Sequence, residues 1–296
     1  MREIINSISV GGLTAVYRRE SETGVVELVL IPAGCESEIV RTDCAAEPLV
    51  QAKLETDDAP AFFSGGRTMR NGPTVSAIVF DGQIVQKSDD KTVILTTLTD
   101  ARGLAYTHTL TLYADNPAAE VVTSVENTGS APVTFEMLSS FTLGSISPFA
   151  TGLAPETLKI HRLRSTWSAE GRLVTDRAED LQLEPSWKCY SANCLRFGVI
   201  GGYPVHGFAP FCAVEDTVHG VTWAAATTQG SSWQMELYRS DMGLSLSGGL
   251  ADREFGAWCK TLAPGACFTA PKAVLTAVRG GVDAAAQVLA ENTRRS

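Results

Sequence analysis

Residues 106–138 read YTHTLTLYADNPAAEVVTSVENTGSAPVTFEML, and this stretch decides the fold class. In its first segment Thr and Leu alternate from residue 109 to residue 112, which is typical of a strand with one wet and one dry face. The segments EVVTSVE and VTFEML follow, joined by NTGSAP at residues 127–132. A linker with Gly and Pro between two such segments indicates a turn, so the stretch predicts successive antiparallel strands.

Short runs of the same composition recur on both sides of this stretch. Each is rich in Val, Ile, Thr, Leu or aromatic residues and ends at a turn-forming residue. The further runs lie at residues 26–31, 75–80, 93–98, 158–164, 196–201, 221–226, 233–238, 244–247, 255–262 and 268–278. Because no helices interleave with them, we predict an all-β fold of two large antiparallel sheets packed face to face, and we disfavour a parallel α/β sheet.

A single segment, residues 282–294, has the pattern of a helix. Asp283 lies in its first turn and Arg294 in its last, as the helix dipole favours, while Val282 and Leu289 belong to an apolar face. The chain shows no Pro/Ser linker and no repeat. We therefore predict one domain at residues 1–281, followed by a connector helix in residues 282–296.

The composition limits the classes of partner. The 296 residues carry a formal net charge of -9 without a Lys/Arg cluster, which argues against nucleic acid because phosphate binding requires clustered cations. The opening MREIINSISVGG lacks the apolar core of a signal peptide, and no run approaches the ~18 apolar residues of a membrane span. A cytoplasmic location without membrane association is the resulting expectation.

Recognisable catalytic and metal motifs are absent. Nucleophile elbows, P-loops, Rossmann glycines and His-Glu-x-x-His do not occur, and we predict no cofactor and no metal. Seven Cys are an odd number in a large domain, which favours free thiols over a disulfide framework. Cys189 and Cys194 have the spacing of some zinc knuckles, but no second ligand pair accompanies them.

The best candidate binding residues lie in one loop and one turn. In FFSGGRTMRNGP, at residues 62–73, Arg67, Arg70 and Asn71 offer many donors to hydroxyls or carboxylates, although a solvated surface loop is the alternative. His206 lies beside a turn next to aromatic residues and could present an imidazole to a ligand. His108 lies within an alternating strand and is expected to be a half-buried packing residue.

Two pairs of carboxylates invite a test for glycoside hydrolysis. Adjacent residues on a strand point to opposite faces, which makes Glu215 and Asp216 a poor catalytic pair. Asp252 and Glu254 could share a face, but the surrounding turn residues predict a solvated hairpin instead. Trp258, in the aromatic-rich stretch at residues 230–268, is expected to be buried.

The order of several motifs resembles the N-terminal domain of microbial α-galactosidases of glycoside hydrolase family 36. The motifs are GRTMRN (66–71), TWSAEGRL (166–173), HGFAPFCAVED (206–216), GVTWAA (220–225) and SGGLADREFGAWCKTLAPGACFTAPKAVL (247–275). In the family, the last stretch carries an aromatic-x-Trp, a Leu-x-Pro-Gly-Glu-x-Phe turn and a Thr-Pro-Glu strand. Here Ala266 and Lys272 replace the family's usual acids. The resemblance covers nearly the whole chain and is strongest from residue 206 onward.

The resemblance implies a β-supersandwich that packs against a (β/α)₈ barrel, in which the family's two catalytic Asp residues lie. The chain would then be part of a retaining α-galactosidase of carbohydrate metabolism, inactive by itself, with no catalytic residue of its own. Its partners would be the catalytic barrel, further copies in a homo-oligomer and an α-galactoside in the assembled enzyme. A loop of the family's domain can reach a sugar site, and the matching loop here, residues 66–71, favours Arg67 and Arg70. Together with Asn71 of the same loop and His206 beside its turn, they are the predicted substrate-binding residues.

Two other functions remain open on the sequence. A free-standing carbohydrate-binding module is compatible with five Trp residues on a large sandwich. A mutarotase-type enzyme would require His161 or His206 near a Glu in a concave groove.

Overall fold

A computed structural model describes residues 2–40, 45–58, 68–150, 156–185, 192–240 and 243–295. Within these ranges the chain forms nineteen strands that pair antiparallel in three sheets, together with a few short helices and one longer C-terminal helix. The predicted all-β class is therefore confirmed. Among the described residues, no helix has the length and the apolar character needed to cross a membrane.

The smallest sheet consists of the first three strands, in the order β1-β2-β3. They are β1 (Arg2–Val10), β2 (Leu13–Glu20) and β3 (Val26–Pro32). Gly11 and Gly12 connect the first two with φ angles of 59° and 89°, and a Cβ on Gly11 would lie 1.9 Å from the Tyr113 carbonyl oxygen, so this turn requires glycine. Nearly all of β2 and all of β3 are buried, which makes this sheet part of the core.

The largest sheet has ten strands and carries the predicted alternation. Its members are β5 (Val79–Lys87), β6 (Lys91–Asp100), β7 (Leu104–Tyr113), β8 (Asn116–Asn127), β10 (Leu158–Thr166), β11 (Ala169–Arg177), β13 (Gly207–Asp216), β14 (Val221–Thr227), β18 (Cys267–Thr269) and β19 (Ala273–Arg279). The order is β11-β10-β13-β14-β19-β8-β7-β6-β5, with β18 also on β8. On β7 every second residue is buried, as the sequence predicts.

A six-stranded sheet faces the largest one. It contains β4 (Ala52–Leu54), β9 (Val133–Leu143), β12 (Ala192–Val199), β15 (Trp233–Ser240), β16 (Gly243–Leu250) and β17 (Lys260–Leu262), in the order β12-β15-β16-β9-β17 with β4 also on β9. The Tyr106 ring of β7 meets the Phe135 ring of β9 edge-on, at a centroid distance of 6.5 Å. Trp223 of β14 donates its indole N–H to the Leu30 carbonyl at 2.7 Å and so joins the smallest sheet to the largest.

The C-terminal helix α3 (Val282–Thr293) covers the outer face of the ten-stranded sheet. It ends one residue earlier than predicted. Ala285 and Leu289 contribute to a second apolar cluster that is separate from the core between the sheets; its other buried members are Ala118, Phe211, Ala213, Ala224, Val274 and Val278. Asn116 donates its side-chain amide to the Val288 carbonyl at 3.3 Å and adds a polar contact to this packing.

The structure corrects two strand predictions. Residues 75–80 were expected to form a strand, but Pro73 starts the short helix α1 (Pro73–Ala77), since proline suits the first helical position, and β5 begins only at Val79. Residues 255–262 also contain a short helix, α2 (Arg253–Gly256), before β17. Asp252 caps it by accepting the Phe255 backbone N–H at 2.8 Å, which pulls the chain into a helical turn.

Three predictions for single residues can also be compared with the structure. The expected burial of Trp258 is wrong: this residue is half-buried and packs on Phe268 at a centroid distance of 5.6 Å, at the margin of the core. His108 is buried completely rather than half-buried. The expected free thiols are confirmed at Cys35, Cys194, Cys212, Cys259 and Cys267, whereas Cys44 and Cys189 lie outside the described residues.

Candidate functional site: a buried charged layer on the six-stranded sheet

The candidate site lies on the outer face of the six-stranded sheet. Along β15, Met235 and Leu237 point into the core between the sheets, so the alternating residues Gln234, Glu236 and Tyr238 point to the opposite face. A strand with this pattern normally exposes its polar face, but these three side chains are also buried. The segment at residues 68–71, with two buried members, contributes to the cover over this face.

Arg70 is the centre of this layer and is only 2% exposed. Its Nη2 donates to the Glu47 carboxylate and to Ser245 Oγ, the latter at 3.1 Å, and its Nη1 donates to the Glu236 carbonyl at 3.4 Å. The guanidinium also stacks on the Tyr238 ring, 5.1 Å from the centroid. All these partners belong to the chain itself, so in this structure Arg70 fixes its loop onto the sheet.

Glu236 is a second buried charge in the layer. Its Oε1 accepts a hydrogen bond of 2.6 Å from Thr68 and lies 4.0 Å from the Arg70 Nε, while its Oε2 lies 3.9 Å from the Arg196 Nε. Burial raises the pKa of Glu236, and the Arg70 charge acts in the opposite direction. A buried carboxylate with two arginine neighbours is the kind of group that occurs at functional sites and in structural ion networks alike.

Asn71 extends the layer through Gln51. The Gln51 side chain makes two reciprocal bonds: its Nε2 donates to Asn71 Oδ1 at 2.6 Å, and its Oε1 accepts the Asn71 backbone N–H at 2.8 Å. The backbone of Asn71 is left-handed, with φ of 54°, a conformation that asparagine tolerates better than most residues. Hydrogen bonds between Gln51 and both the side chain and the backbone of Asn71 therefore hold Asn71 in place.

At the other end of the layer, Arg196 of β12 binds two acids. Its guanidinium lies 3.3 Å from Asp252 Oδ2 and 2.8 Å from Glu254 Oε2. Asp252 also accepts a bond of 2.9 Å from the Gln234 amide and is 1% exposed. The predicted solvated hairpin is therefore wrong for Asp252, since the helix cap and Arg196 draw this carboxylate into the layer, whereas Glu254 remains exposed.

A cavity of about 250 Å³ opens beside Arg70's partners. Its polar lining includes Glu47, Asn71 and Tyr238 from the charged layer, together with Glu20. The apolar part of its lining consists of Val25, Ala45, Ala46, Pro48 and Val75. Carboxylate, amide and phenol groups around a space of this size provide both donors and acceptors for a small hydroxyl-bearing ligand.

The four predicted binding residues do not all meet. Arg70 and Asn71 are neighbours in the charged layer, Asn71 at the cavity wall. His206 is exposed just before β13, with its ring 6.1 Å from the Tyr203 ring, and no described contact links it to the other two. Arg67 lies outside the described residues. The role of these residues in sugar binding stays a prediction.

Sequence reasoning missed most of the layer, including Glu47, Gln51, Glu236 and Tyr238. The only available signal was the alternation in WQMELY, at residues 233–238, which indicates a polar face without showing that another segment covers it. Among the described residues, no group of three or more His, Cys, Asp or Glu side chains is arranged to hold a metal ion.

A histidine–carboxylate pair exists elsewhere, on the outer face of the ten-stranded sheet. The His161 Nε2 lies 2.9 Å from Glu215 Oε2, and its Nδ1 lies 2.9 Å from Thr175 Oγ1. Burial lowers the pKa of His161, and Glu215 acts against this change. The pair lies near the start of α3, where a Cβ on Gly281 would come within 3.7 Å of both Glu215 carboxylate oxygens, and His161 is 3% exposed. Within the described part of the chain the His161 imidazole is therefore covered, whereas a mutarotase-type site requires a histidine that faces an open groove.

The fold is that of the N-terminal region of α-galactosidases of glycoside hydrolase family 36. An AgaA variant from Geobacillus stearothermophilus in complex with stachyose has a TM-score of 0.70 at 14% identity, covering 96% of this chain and 42% of that chain. The α-galactosidase from Lactobacillus brevis has a TM-score of 0.67 at 14% identity, and the match covers 97% of this chain and 41% of that chain. The galactosidase domain of the α-galactosidase-sucrose kinase AgaSK has a TM-score of 0.70 at 12% identity, covering 95% and 41%.

At this level of identity the likeness shows the fold alone. The chain spans about two fifths of the length of these solved structures. No protein-family model matches the sequence, and no curated protein matches it significantly.

Proposed function

We propose that the chain is the N-terminal β-supersandwich domain of an α-galactosidase-type glycoside hydrolase of family 36, and that it scaffolds the catalytic domain. The observation that carries the proposal is the structural overlap of 96% of the chain with 42% of an α-galactosidase variant that was solved in complex with stachyose. The order of motifs in the sequence points to the same family independently of the fold.

In this proposal residues 1–281 form the sandwich and residues 282–296 lead toward a (β/α)₈ barrel. Catalytic carboxylates on loops at one face of that barrel would hydrolyse terminal α-galactosides in the cytoplasm. The sandwich would contribute a packing surface for the barrel and for other copies in an oligomer.

The loop that ends at Asn71 is the part of the domain proposed to approach the sugar. Arg70 anchors this segment to the sheet through Glu47 and Ser245, so the adjacent Asn71, at the cavity wall, is better placed to donate to substrate hydroxyls. Arg67, which lies outside the described residues, stays a candidate from the sequence. His206, which is exposed, is a separate candidate for contact with the sugar or with the barrel.

Two measurements test this proposal. Purified residues 1–296 should release no p-nitrophenol from p-nitrophenyl α-galactoside, because the catalytic pair lies elsewhere. The coding sequence should continue in frame beyond residue 296 into alternating strand and helix patterns. Enzyme-like turnover by residues 1–296, or a stop codon directly after residue 296, would contradict the proposal.

The second candidate function, a carbohydrate-binding module, is favoured by the cavity beside Asn71. Its volume of about 250 Å³ accommodates a monosaccharide, and Glu20, Glu47 and Asn71 lie on its wall. Calorimetric titration with galactose and raffinose distinguishes the two functions, since a scaffold without its barrel should bind neither sugar. Binding that is lost in Asn71→Ala but retained in the distant surface variant Lys87→Ala would favour the module.

A further inference from the structure

The β10–β11 hairpin leaves one edge of the ten-stranded sheet open. β11 is the last strand of that sheet, and in the described part of the chain no strand pairs with its outer edge. None of its nine residues is buried, so both of its faces meet solvent. A long unpaired edge of this kind is a template for another strand.

Close to its turn, the hairpin carries an unfavourable pair of like charges. Arg164 of β10 and Arg172 of β11 are directly opposite each other, and both are exposed. Neither forms an ion pair with any described residue, although acids outnumber bases by 33 to 24 in the chain. The Arg164 guanidinium lies instead over the Phe208 ring, at 4.7 Å. Like charges directly opposite on a sheet are destabilising, and an acid beyond the edge would relieve this pair.

We propose that this edge binds the β11 strand of a second copy of the chain, antiparallel and about a two-fold axis, with Val174 opposite the partner's Val174. Arg172 then lies opposite the partner's Asp176, and by symmetry this pair forms twice. Arg162 donates to Asp176 Oδ2 at 2.6 Å and so holds the acid in position on its strand.

The charges of β11 select this register from the alternatives. A two-fold axis perpendicular to a continuous sheet places one residue of the strand opposite its own copy. With residue 172 at the centre, Arg172 faces itself, and with residue 173 at the centre, Glu170 faces the partner's Asp176. With residue 174 at the centre, residues 171–177 overlap without any like-charge pair. Centres at 171 or 175 shorten the overlap to residues 169–173 or 173–177.

Exchange of charges tests both the partner and the register. In Arg172→Glu, both 172–176 pairs of the dimer join two acids, and in Asp176→Lys both join two bases. Each variant alone should therefore raise the dissociation constant of the dimer at least about tenfold. An equimolar mixture of the two should restore it, because every pair in the mixed dimer joins opposite charges. Lys87→Glu, on the β5 edge of the same sheet, is the control and should leave the dimer unchanged.

Sedimentation velocity up to about 100 µM gives the dissociation constants, since weak specific dimers fall in the micromolar range. A wild-type chain that remains monomeric, a dimer that survives either substitution, or a mixture that fails to recover would overturn the proposal. Circular dichroism of each variant separates loss of the dimer from loss of the fold. Two variants that are each folded and monomeric alone, but form a dimer when mixed, can do so only through this interface.

A cysteine cross-link tests the centre of the interface directly. Residues opposite each other on antiparallel strands have Cα atoms about 4.5–5.5 Å apart, within reach of a disulfide. Val174→Cys should therefore form a 174–174 disulfide under mild oxidation, identified by peptide mapping. Thr175→Cys is the control, since its own copy would lie about 8 Å away, beyond disulfide reach. Cross-linking of 175 in preference to 174 would refute the register.

Discussion

Substitution of Arg70 by Met should destabilise the domain strongly, because Arg70 neutralises the buried charged layer. Methionine keeps much of the aliphatic volume but leaves the Glu47 carboxylate without its cation. It also removes the charge 4.0 Å from Glu236 and the stacking on Tyr238. Removal of one partner from a buried ion pair costs about 3–5 kcal/mol of unfolding free energy, and we expect a loss in this range.

Arg177→Met is the matched control. Arg177 also binds two acids, Glu156 and Asp180, but its side chain is 48% exposed. Exposed ion pairs contribute about 0–1 kcal/mol, so this variant should unfold close to the wild type. Urea denaturation followed by tryptophan fluorescence suits both variants, since Trp223 and Trp233 are completely buried and report the loss of the core.

The effect of Arg70→Met should also depend on pH. Burial raises the pKa of Glu236 in the folded state, and loss of Arg70 raises it further. A carboxyl group whose pKa is higher in the folded than in the unfolded state stabilises the fold at low pH, and this stabilisation is lost as the pH rises through the folded-state pKa. The deficit of Arg70→Met relative to the wild type should therefore be smaller at about pH 5 than at about pH 7.5.

Two results would refute this reasoning. One is a loss of unfolding free energy in Arg70→Met that is no larger than the loss in Arg177→Met, which would mean that the layer does not depend on its central cation. The other is a deficit that grows as the pH falls. Addition of Glu236→Gln to Arg70→Met should recover part of the stability, because the unpaired buried charge is then removed.

Three further predictions concern the core and the C-terminal helix. Burial lowers the pKa of His108 to about 4, so only the unfolded chain gains this proton between about pH 6.5 and 4. The free energy of unfolding should therefore fall by up to about 3 kcal/mol as the pH drops through that window. His108→Gln should make the free energy of unfolding less dependent on pH there. Gly249 has φ of 135°, and a Cβ there would lie 2.2 Å from Ser140 Oγ; Gly249→Ala should therefore lower the urea midpoint, whereas Gly171→Ala, also at positive φ but with open space around it, isolates the conformational cost. Leu289→Ala should lower the free energy of unfolding by about 2–5 kcal/mol if α3 packs as an integral part of the domain. An unchanged urea unfolding curve would show that it does not.

Local periodicity was sufficient to predict much of the fold. The alternation in YTHTLTLY matches the alternating burial of β7, because a half-buried strand needs opposite chemistry on its two faces. The C-terminal helix could be predicted from Asp283 in its first turn and from its apolar face, which packs on the ten-stranded sheet. The predicted strand at residues 75–80 failed because the β-branched residues there follow Pro73, and the proline favours a helical turn over their strand propensity.

The candidate site was harder to predict because it depends on contacts between distant segments. The sequence identifies Arg70 as a candidate donor, but its partners Glu47 and Ser245 lie 23 and 175 residues away. The turn residues around Asp252 predict a solvated hairpin, since nothing near it in the sequence shows that Arg196 lies close by. Periodicity identifies which side chains share a face of a strand, whereas the segment that covers the face is set by tertiary structure.

The structure of the protein expressed from its complete coding sequence tests the proposed scaffold role most directly. We expect a (β/α)₈ barrel to follow α3, to pack against the sandwich and to hold a pair of carboxylates at one end, with the Asn71 loop facing a bound α-galactoside. A chain that ends at residue 296, or that continues into a domain other than a barrel, would contradict the proposal.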